Sequence, residues 1–232
     1  YLLSSKGWSQ AAIKEMWDYD KKYILGLIKY FPDAYESELI LKHKNFSNCK
    51  YIFDIAVKKD GLYLMYSSKE IKNDQKIVFN AVKQNGLALH LASFECRNDE
   101  EIVLKAVKNI GNSLEFASKK IKDTKHIVLE AVKKEPLALK YASRRLKSDH
   151  EIVSAAVNKN AYSLEFASNN LRNNKKIALS AVKNNGLAIV LLGNKIKFDV
   201  RLNQQALKSK IESINYIDDD VVNKIGLKSV FK

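Results

Sequence analysis

Two prolines and eight glycines in 232 residues leave few positions able to interrupt regular structure, since these two residues are the strongest local breakers of helices and strands. The scarcity favours helices. Cysteine is equally rare: Cys49 and Cys96 form no C-x-x-C pair, and no histidine stands at metal-ligand spacing from either. This usage fits a reducing, intracellular compartment. No segment approaches the roughly 20 consecutive apolar residues needed to span a bilayer. The four histidines, His43, His90, His126 and His150, show no H-x-x-x-H or H-E-x-x-H spacing, and no Walker-type or G-x-G-x-x-G loop occurs. The sequence therefore names no catalytic residue, no metal ligand and no cofactor, and it argues against an enzyme.

What is present describes a folded, basic chain. Apolar residues make up 46% and charged residues 28%, enough for a core and too apolar for disorder. Forty Lys and Arg face 26 Asp and Glu, a net charge of +14. That surplus points to anionic partners such as nucleic acid, phospholipid headgroups or an acidic protein face. It is spread along the chain, however, as a solvated lysine-rich surface would be. The sequence opens at Tyr1 with no initiator methionine, which suggests an excerpt of a longer polypeptide.

The dominant feature is a strict 25-residue repeat. Ala56-Val57-Lys58 recurs at Ala81, Ala106, Ala131, Ala156 (with Asn158), Ala181 and, as Ala206-Leu207-Lys208, at the seventh position. Ile52, Ile77, Ile102, Ile127, Ile152 and Ile177 hold the same register, and so do Ala92-Ser93, Ala117-Ser118, Ala142-Ser143 and Ala167-Ser168. Periods of this length signal stacked supersecondary units. In the unit 73–97, Asn73 and its equivalents Asn98, Asp123, Ser148 and Asn173 are N-cap types. Ser148 with Glu151 makes a capping box, and Asn98 with Glu101 resembles one. A first helix then runs about 74–84, with Ile77, Val78, Ala81 and Val82 at helical spacing. A second runs about 86–95 through Leu87, Leu89, Leu91 and Ala92, capped by Asn85. Its opening position reads Gly61, Gly86, Gly111, Pro136, Ala161, Gly186, so it demands no positive φ, and proline fits the first helical position. Ser93 and its equivalents then fall mid-helix, bonding back to a carbonyl four residues earlier. Cys96 takes a place held elsewhere by Ile or Leu and reads as a buried small hydrophobe.

Two short helices cannot bury an apolar face alone, but stacked neighbours bury it for each other. The fold expected is all-α, an α-solenoid of about six to seven 25-residue helix-turn-helix repeats. Residues 1–50 form an N-terminal helical cap with a degenerate repeat, sealed by Trp8 and Trp17; 51–200 form the array; 201–232 form a C-terminal helical cap. With no Pro/Gly/Ser linker, these make one continuous domain.

Units such as 77–89, followed by Ala92-Ser93 and Arg97-Asn98-Asp99, resemble the helical-repeat family known as domain of unknown function 4116. The resemblance covers about residues 51–200. It implies a helical repeat of a kind found in secreted effectors of intracellular bacteria and in protist and giant-virus proteins; in an effector the place of action would be the host cytosol. It brings no catalytic or ligand residues.

Two basic ladders follow from the period. One is Lys72, Arg97, Lys122, Lys147, Arg172 and Lys197; the other is Lys58, Lys83, Lys108, Lys133, Lys183 and Lys208. Either could track a phosphate backbone, and either could simply offset helix dipoles at C-termini. Phe116, Tyr141 and Phe166 stand at the Leu91 position and read as core. Two classes vary between units: Met65, His90, Glu115, Lys140, Glu165, Val190, and Asn80, Lys105, Glu130, Ala155, Ser180. An irregular partner requires such variation, so the leading expectation is a protein–protein recognition module. Binding of RNA, DNA or phosphoinositide membrane is the alternative.

Overall fold

A computed structural model of the chain describes residues 41, 42 and 47–225. Trp8, Trp17, the degenerate repeat near 23–29, His43 and the end of the C-terminal cap lie outside the described residues. No strand occurs among the described residues, and no described helix is long and apolar enough to cross a membrane. The architecture is the all-α tandem repeat of an α-solenoid. Its Cα positions fall into two compact units, 1–118 and 119–232.

Each repeat has three elements. A ten-residue α-helix comes first: Lys50–Lys59, Gln75–Gln84 and Glu100–Asn109 in the first unit, and Lys125–Lys134, His150–Lys159, Lys175–Asn184 and Val200–Ser209 in the second. A six-residue 3-10 helix follows: Gly61–Tyr66, Gly86–Leu91 and Gly111–Phe116, then Pro136–Tyr141, Ala161–Phe166, Gly186–Leu191 and Ile211–Tyr216. A closing turn ends the repeat, either a one-turn α-helix such as Phe94–Arg97 or a 3-10 turn such as Leu146–Ser148. The first helix buries the stripe the periodicity predicts, with Ile77, Val78, Ala81 and Val82 inside. Cys96 is buried, which pushes its thiol pKa up.

Two expectations are corrected. The N-cap of each first helix is one residue later than expected: Asp74, Asp99 and Asp149 accept the N–H of Ile77, Ile102 and Ile152 at 3.2, 2.9 and 3.1 Å. Ser148 therefore makes no capping box, and its hydroxyl donates to Arg144 O at 3.3 Å. Asn73 and Asn98 are occupied elsewhere, accepting Ser93 and Ser118 Oγ of the following repeat, both at 2.6 Å. Second, the helix expected over 86–95 is cut at Ala92. Asn85 starts the 3-10 helix by accepting the Leu87 N–H at 3.0 Å, and the chain turns extended at Ala92 (φ −71°, ψ 157°). Ser93 is consequently not mid-helix. It caps the closing turn, accepting the Cys96 N–H at 3.2 Å.

The cut exists because the Ser93 N–H leaves its own repeat. It donates to Lys72 O at 2.8 Å, and Ser118 repeats the bond to Arg97 O at 2.9 Å. In the second unit Ser143, Ser168 and Gly193 donate to Lys122, Lys147 and Arg172 O, each at 2.9 Å. A helix continued through Ala92 would spend that N–H internally. Where Gly193 replaces serine, the Asn173 side chain fills the space of the missing Cβ and accepts the Lys195 N–H at 3.0 Å.

A second tie joins the first helices to the 3-10 helices. Asn109 accepts the Gly86 N–H at 2.9 Å and donates to Lys83 O at 3.1 Å; Gln84 does the same for Gly61 N–H at 2.6 Å and Lys59 O at 3.2 Å. The glycines admit this approach. None of Gly61, Gly86 and Gly186 has a left-handed φ, but a Cβ on Gly86 would stand 2.5 Å from Ala106 O, and those on Gly61 and Gly186 would be closer still to Ala81 O and Ala206 O. Pro136 has no N–H to offer. The residue at the bridging position of its next repeat is Lys159, which only donates, to Lys133 O.

Lys50–Asp74 at 2.8 Å, Lys125–Asp149 at 2.9 Å and Lys175–Asp199 at 2.8 Å add ion pairs between successive repeats. The paired ammonium lowers the pKa of Asp74 and Asp199; burial would raise that of Asp149, but Lys125 and the Ile152 N–H overcome it and hold it low. The lysines reach into solvent, which screens each pair and keeps its contribution small.

Asn109→Leu strands the buried Gly86 N–H and should cost about 1–3 kcal/mol in chemical denaturation. Lys159→Leu strands no donor and should cost less than half as much; equal costs would refute the bridge. The three lowered aspartates set an acid response. Because their folded pKa lies below the unfolded value near 3.9, their stabilisation is complete above about pH 4 and is lost as pH falls through the folded values. Replacing Asp74, Asp149 and Asp199 by Asn should flatten the fall in melting temperature between about pH 4 and pH 2.

Candidate functional site

The 3-10 geometry decides which side chains face outward. With three residues per turn, positions i and i+3 align. In the segment 86–92 the buried set is Gly86, Ala88, Leu89 and Ala92, while Leu87 and His90 are exposed. His90 Nδ1 lies 2.7 Å from Leu87 O, beside the residue it shares the face with. The 3-10 helices from 61 to 191 repeat this pattern, with Leu62, Asn112 and Leu187 half-buried at the Leu87 position. In the first unit the outward pairs are Leu62 with Met65, Leu87 with His90 and Asn112 with Glu115; in the second they are Leu137 with Lys140, Tyr162 with Glu165 and Leu187 with Val190.

His90, Glu115, Lys140 and Glu165 are thus exposed, as the sequence suggested. Their apolar companions share the outward side: Leu87, Leu137 and Tyr162 are 38%, 40% and 44% exposed. The period of three in the unit 86–92, in place of the expected α-helical period, puts Leu87 beside His90. Phe116, Tyr141 and Phe166 are half-buried instead of core. Phe116 sits 5.4 Å from the His90 ring, and Lys140 Nζ lies 4.6 Å from the Tyr141 ring centre. The other varying class is half-buried on the first helices. Asn80 donates to Asp54 at 3.0 Å and Ser180 to Asn158 at 2.5 Å, so these residues serve contacts between repeats.

The ladder Lys72, Arg97, Lys122, Lys147, Arg172, Lys197 is half-buried throughout. The carbonyls of Lys72, Arg97, Lys122, Lys147 and Arg172 accept the inter-repeat bonds described above. Several side chains are also committed: Lys72 Nζ donates to Met65 O at 3.2 Å, Arg172 Nε to Leu191 O at 2.7 Å, and Arg97 Nε is buried. Burial lowers the Lys147 pKa. The second ladder, Lys58, Lys83, Lys108, Lys133, Lys183 and Lys208, is exposed at first-helix C-termini, where cations complement the dipole. Among the described residues no three His, Cys, Asp or Glu side chains are grouped to hold a metal ion.

Arg172→Met removes a charged donor from Leu191 O and should lower stability by about 1–3 kcal/mol. Lys147→Met removes a charge that burial already disfavours and should be neutral or stabilising. A thermal melt ranking the two in the opposite order would contradict the structural role of the ladder.

Comparison with curated proteins and with solved structures finds no match. A family model does match, described as Domain of unknown function (DUF4116), over residues 49–97, 77–122 and 124–172. Each segment spans nearly two of the 25-residue repeats, and together they cover more than half of the chain. The chain therefore belongs to the family of the Domain of unknown function (DUF4116) repeat.

Proposed function

We propose that the chain is a non-catalytic protein-recognition module whose reading surface, within each of its two units, is the outward face of the 3-10 helices. One contrast carries the proposal. The constant cations Lys72, Arg97 and Arg172 fold onto the backbone or into the stack, whereas the exposed position changes from Met65 to His90, Glu115, Lys140, Glu165 and Val190. A uniform polyanion gains nothing from such variation; an irregular protein surface is distinguished by it. The exposed Leu87, Leu137 and Tyr162 and the half-buried Leu62 supply the apolar area that a protein interface centres on. If the chain serves a secreted effector, this recognition takes place in the host cytosol.

The second reading is an anion binder, favoured by one observation, the exposure of the ladder from Lys58 to Lys208, although Lys58 and Lys133 are also paired with Asp54 and Glu130. Affinity capture from host-cell lysate, with and without nuclease, separates the two. The captured proteins should resist nuclease, disappear with the combined Leu62→Ser, Leu87→Ser, Leu137→Ser and Tyr162→Ser variant, and persist when Lys58, Lys83, Lys108 and Lys133 become Gln. Capture abolished by nuclease, or by the lysine variant alone with steep salt sensitivity, would establish the anion reading instead.

A further inference from the structure

We infer that the face made by Leu137, Tyr162 and Leu187 binds an acidic peptide in polyproline-II conformation, with an apolar side chain at every third residue. The inference rests on the protein-recognition reading and adds the class of partner.

Three observations in the second unit support it. The first is the apolar row. Leu137, Tyr162 and Leu187 occupy one position of three successive 3-10 helices, partly exposed, and Val190 widens the row at 41% exposure. The row is anchored across repeats, since Asn185 Nδ2 donates to the Tyr162 hydroxyl at 3.2 Å.

The second is charge. The last residues of the four first helices and the caps that lead into the 3-10 helices carry Lys133, Lys134, Lys159, Lys183, Lys208 and Lys210. Lys134 and Lys159 stand three residues before Leu137 and Tyr162, respectively. Against them stand Glu135, the exposed Glu165, Glu212 paired with Lys210 at 2.9 Å, and Glu130 paired with Lys133 at 3.0 Å. Each helix terminus adds about half a negative charge, and the border of the row still keeps a positive surplus. An acidic partner complements it.

The third is spacing. Packed helical elements stand about 8–10 Å apart, so the row offers an apolar site about that often. A polyproline-II chain rises about 3.1 Å per residue with three residues per turn, which returns a side chain to one face every ~9.3 Å. A β-strand returns one every two residues, about 6.6 Å, and falls out of step. An α-helix matches only at every seventh residue, about 10.5 Å, and like charges four apart weaken it when the intervening residues are acidic. Acidic segments repel themselves into extended form, so charge and spacing select the same conformation.

The test uses the full chain and two fluorescein-labelled peptides of about twelve residues, of identical composition. One repeats Leu-Asp-Glu so that leucine recurs at every third position; the other places leucine at every second position until it is used up. Fluorescence anisotropy should give a Kd about tenfold lower for the first peptide, and Tyr162→Ser should remove most of that difference. Replacing Asp and Glu by Asn and Gln should weaken binding by a similar factor, and added salt should weaken the acidic peptide only. Leu137→Ser serves as a second variant should Tyr162→Ser shift the thermal melt. Equal affinity for both spacings, equal affinity for the neutral peptide, or displacement of the peptide by a lower concentration of oligouridylate would overturn the inference. If the spacings bind equally while lysate capture is still lost with the four-residue face variant, only the peptide class fails; if that variant also captures normally, the recognition reading fails with it.

Discussion

The structure depends on one backbone hydrogen bond, the N–H of the serine that opens each closing turn, given to the carbonyl that ends the previous turn. Ser93 to Lys72 at 2.8 Å and Ser168 to Lys147 at 2.9 Å are examples. Being the N-cap, Ser93 has no intrahelical partner for that N–H. The bond therefore fixes where Ala92 must turn away from helix, and it limits the preceding element to six residues. A segment so short tightens into a 3-10 helix, and its period of three then sorts Leu89 inward and Leu87 with His90 outward. The serine hydroxyl adds its own bond to Asn73, and the bridging amides of Gln84 and Asn109 close the other end of the seam. Neutral hydrogen bonds contribute only about 0.5–1.5 kcal/mol each, but the same set recurs at successive seams, so stability accumulates by repetition.

This arrangement separates constant from variable chemistry. Among seam residues the serine position is nearly constant (Ser93, Ser118, Ser143 and Ser168, with Gly193 as the exception) and the ladder from Lys72 to Lys197 is always basic, whereas Asn80 and Ser180 serve seams from a position that varies. On the outward 3-10 face the position of Met65, His90, Glu115, Lys140, Glu165 and Val190 differs between units, while Tyr162 on the same face also meets Asn185 of the next repeat. A cation ladder conspicuous in sequence is thereby largely explained by backbone carbonyls, as Lys72 with Met65 O and Arg172 with Leu191 O show. In the proposed reading, the exposed ladder from Lys58 to Lys208 would supply a long-range field that raises encounter rates with acidic partners, and the varying face would supply discrimination.

The repeat period, the α-helical first element and its buried stripe were legible because Ile77, Val78, Ala81 and Val82 keep both a 25-residue and a helical spacing. The caps Asp60, Asn85, Asn160 and Asn185 and the place of Pro136 were legible from local chemistry alone. What misled was partner choice across seams. Asn73 and Asp74 are both good caps, and only the demand of Ser93 on Asn73 assigns the helix to Asp74. Leu87 looks like core in an α-helix and is surface in a 3-10 helix. Long-range bonds of 20 or more residues leave no local signature, so the outward face could not be read before the element type was known.

The most direct measurement of the central bond is amide hydrogen exchange, resolved by residue, at Ser93, Ser118, Ser143 and Ser168. Each lies between an extended residue and a short turn, where an amide without a partner exchanges at the rate of exposed loops. The account predicts protection comparable to that of Val82 and Val157 within the first helices. Exchange of these serine amides at loop rates, while the first helices stay protected, would contradict it.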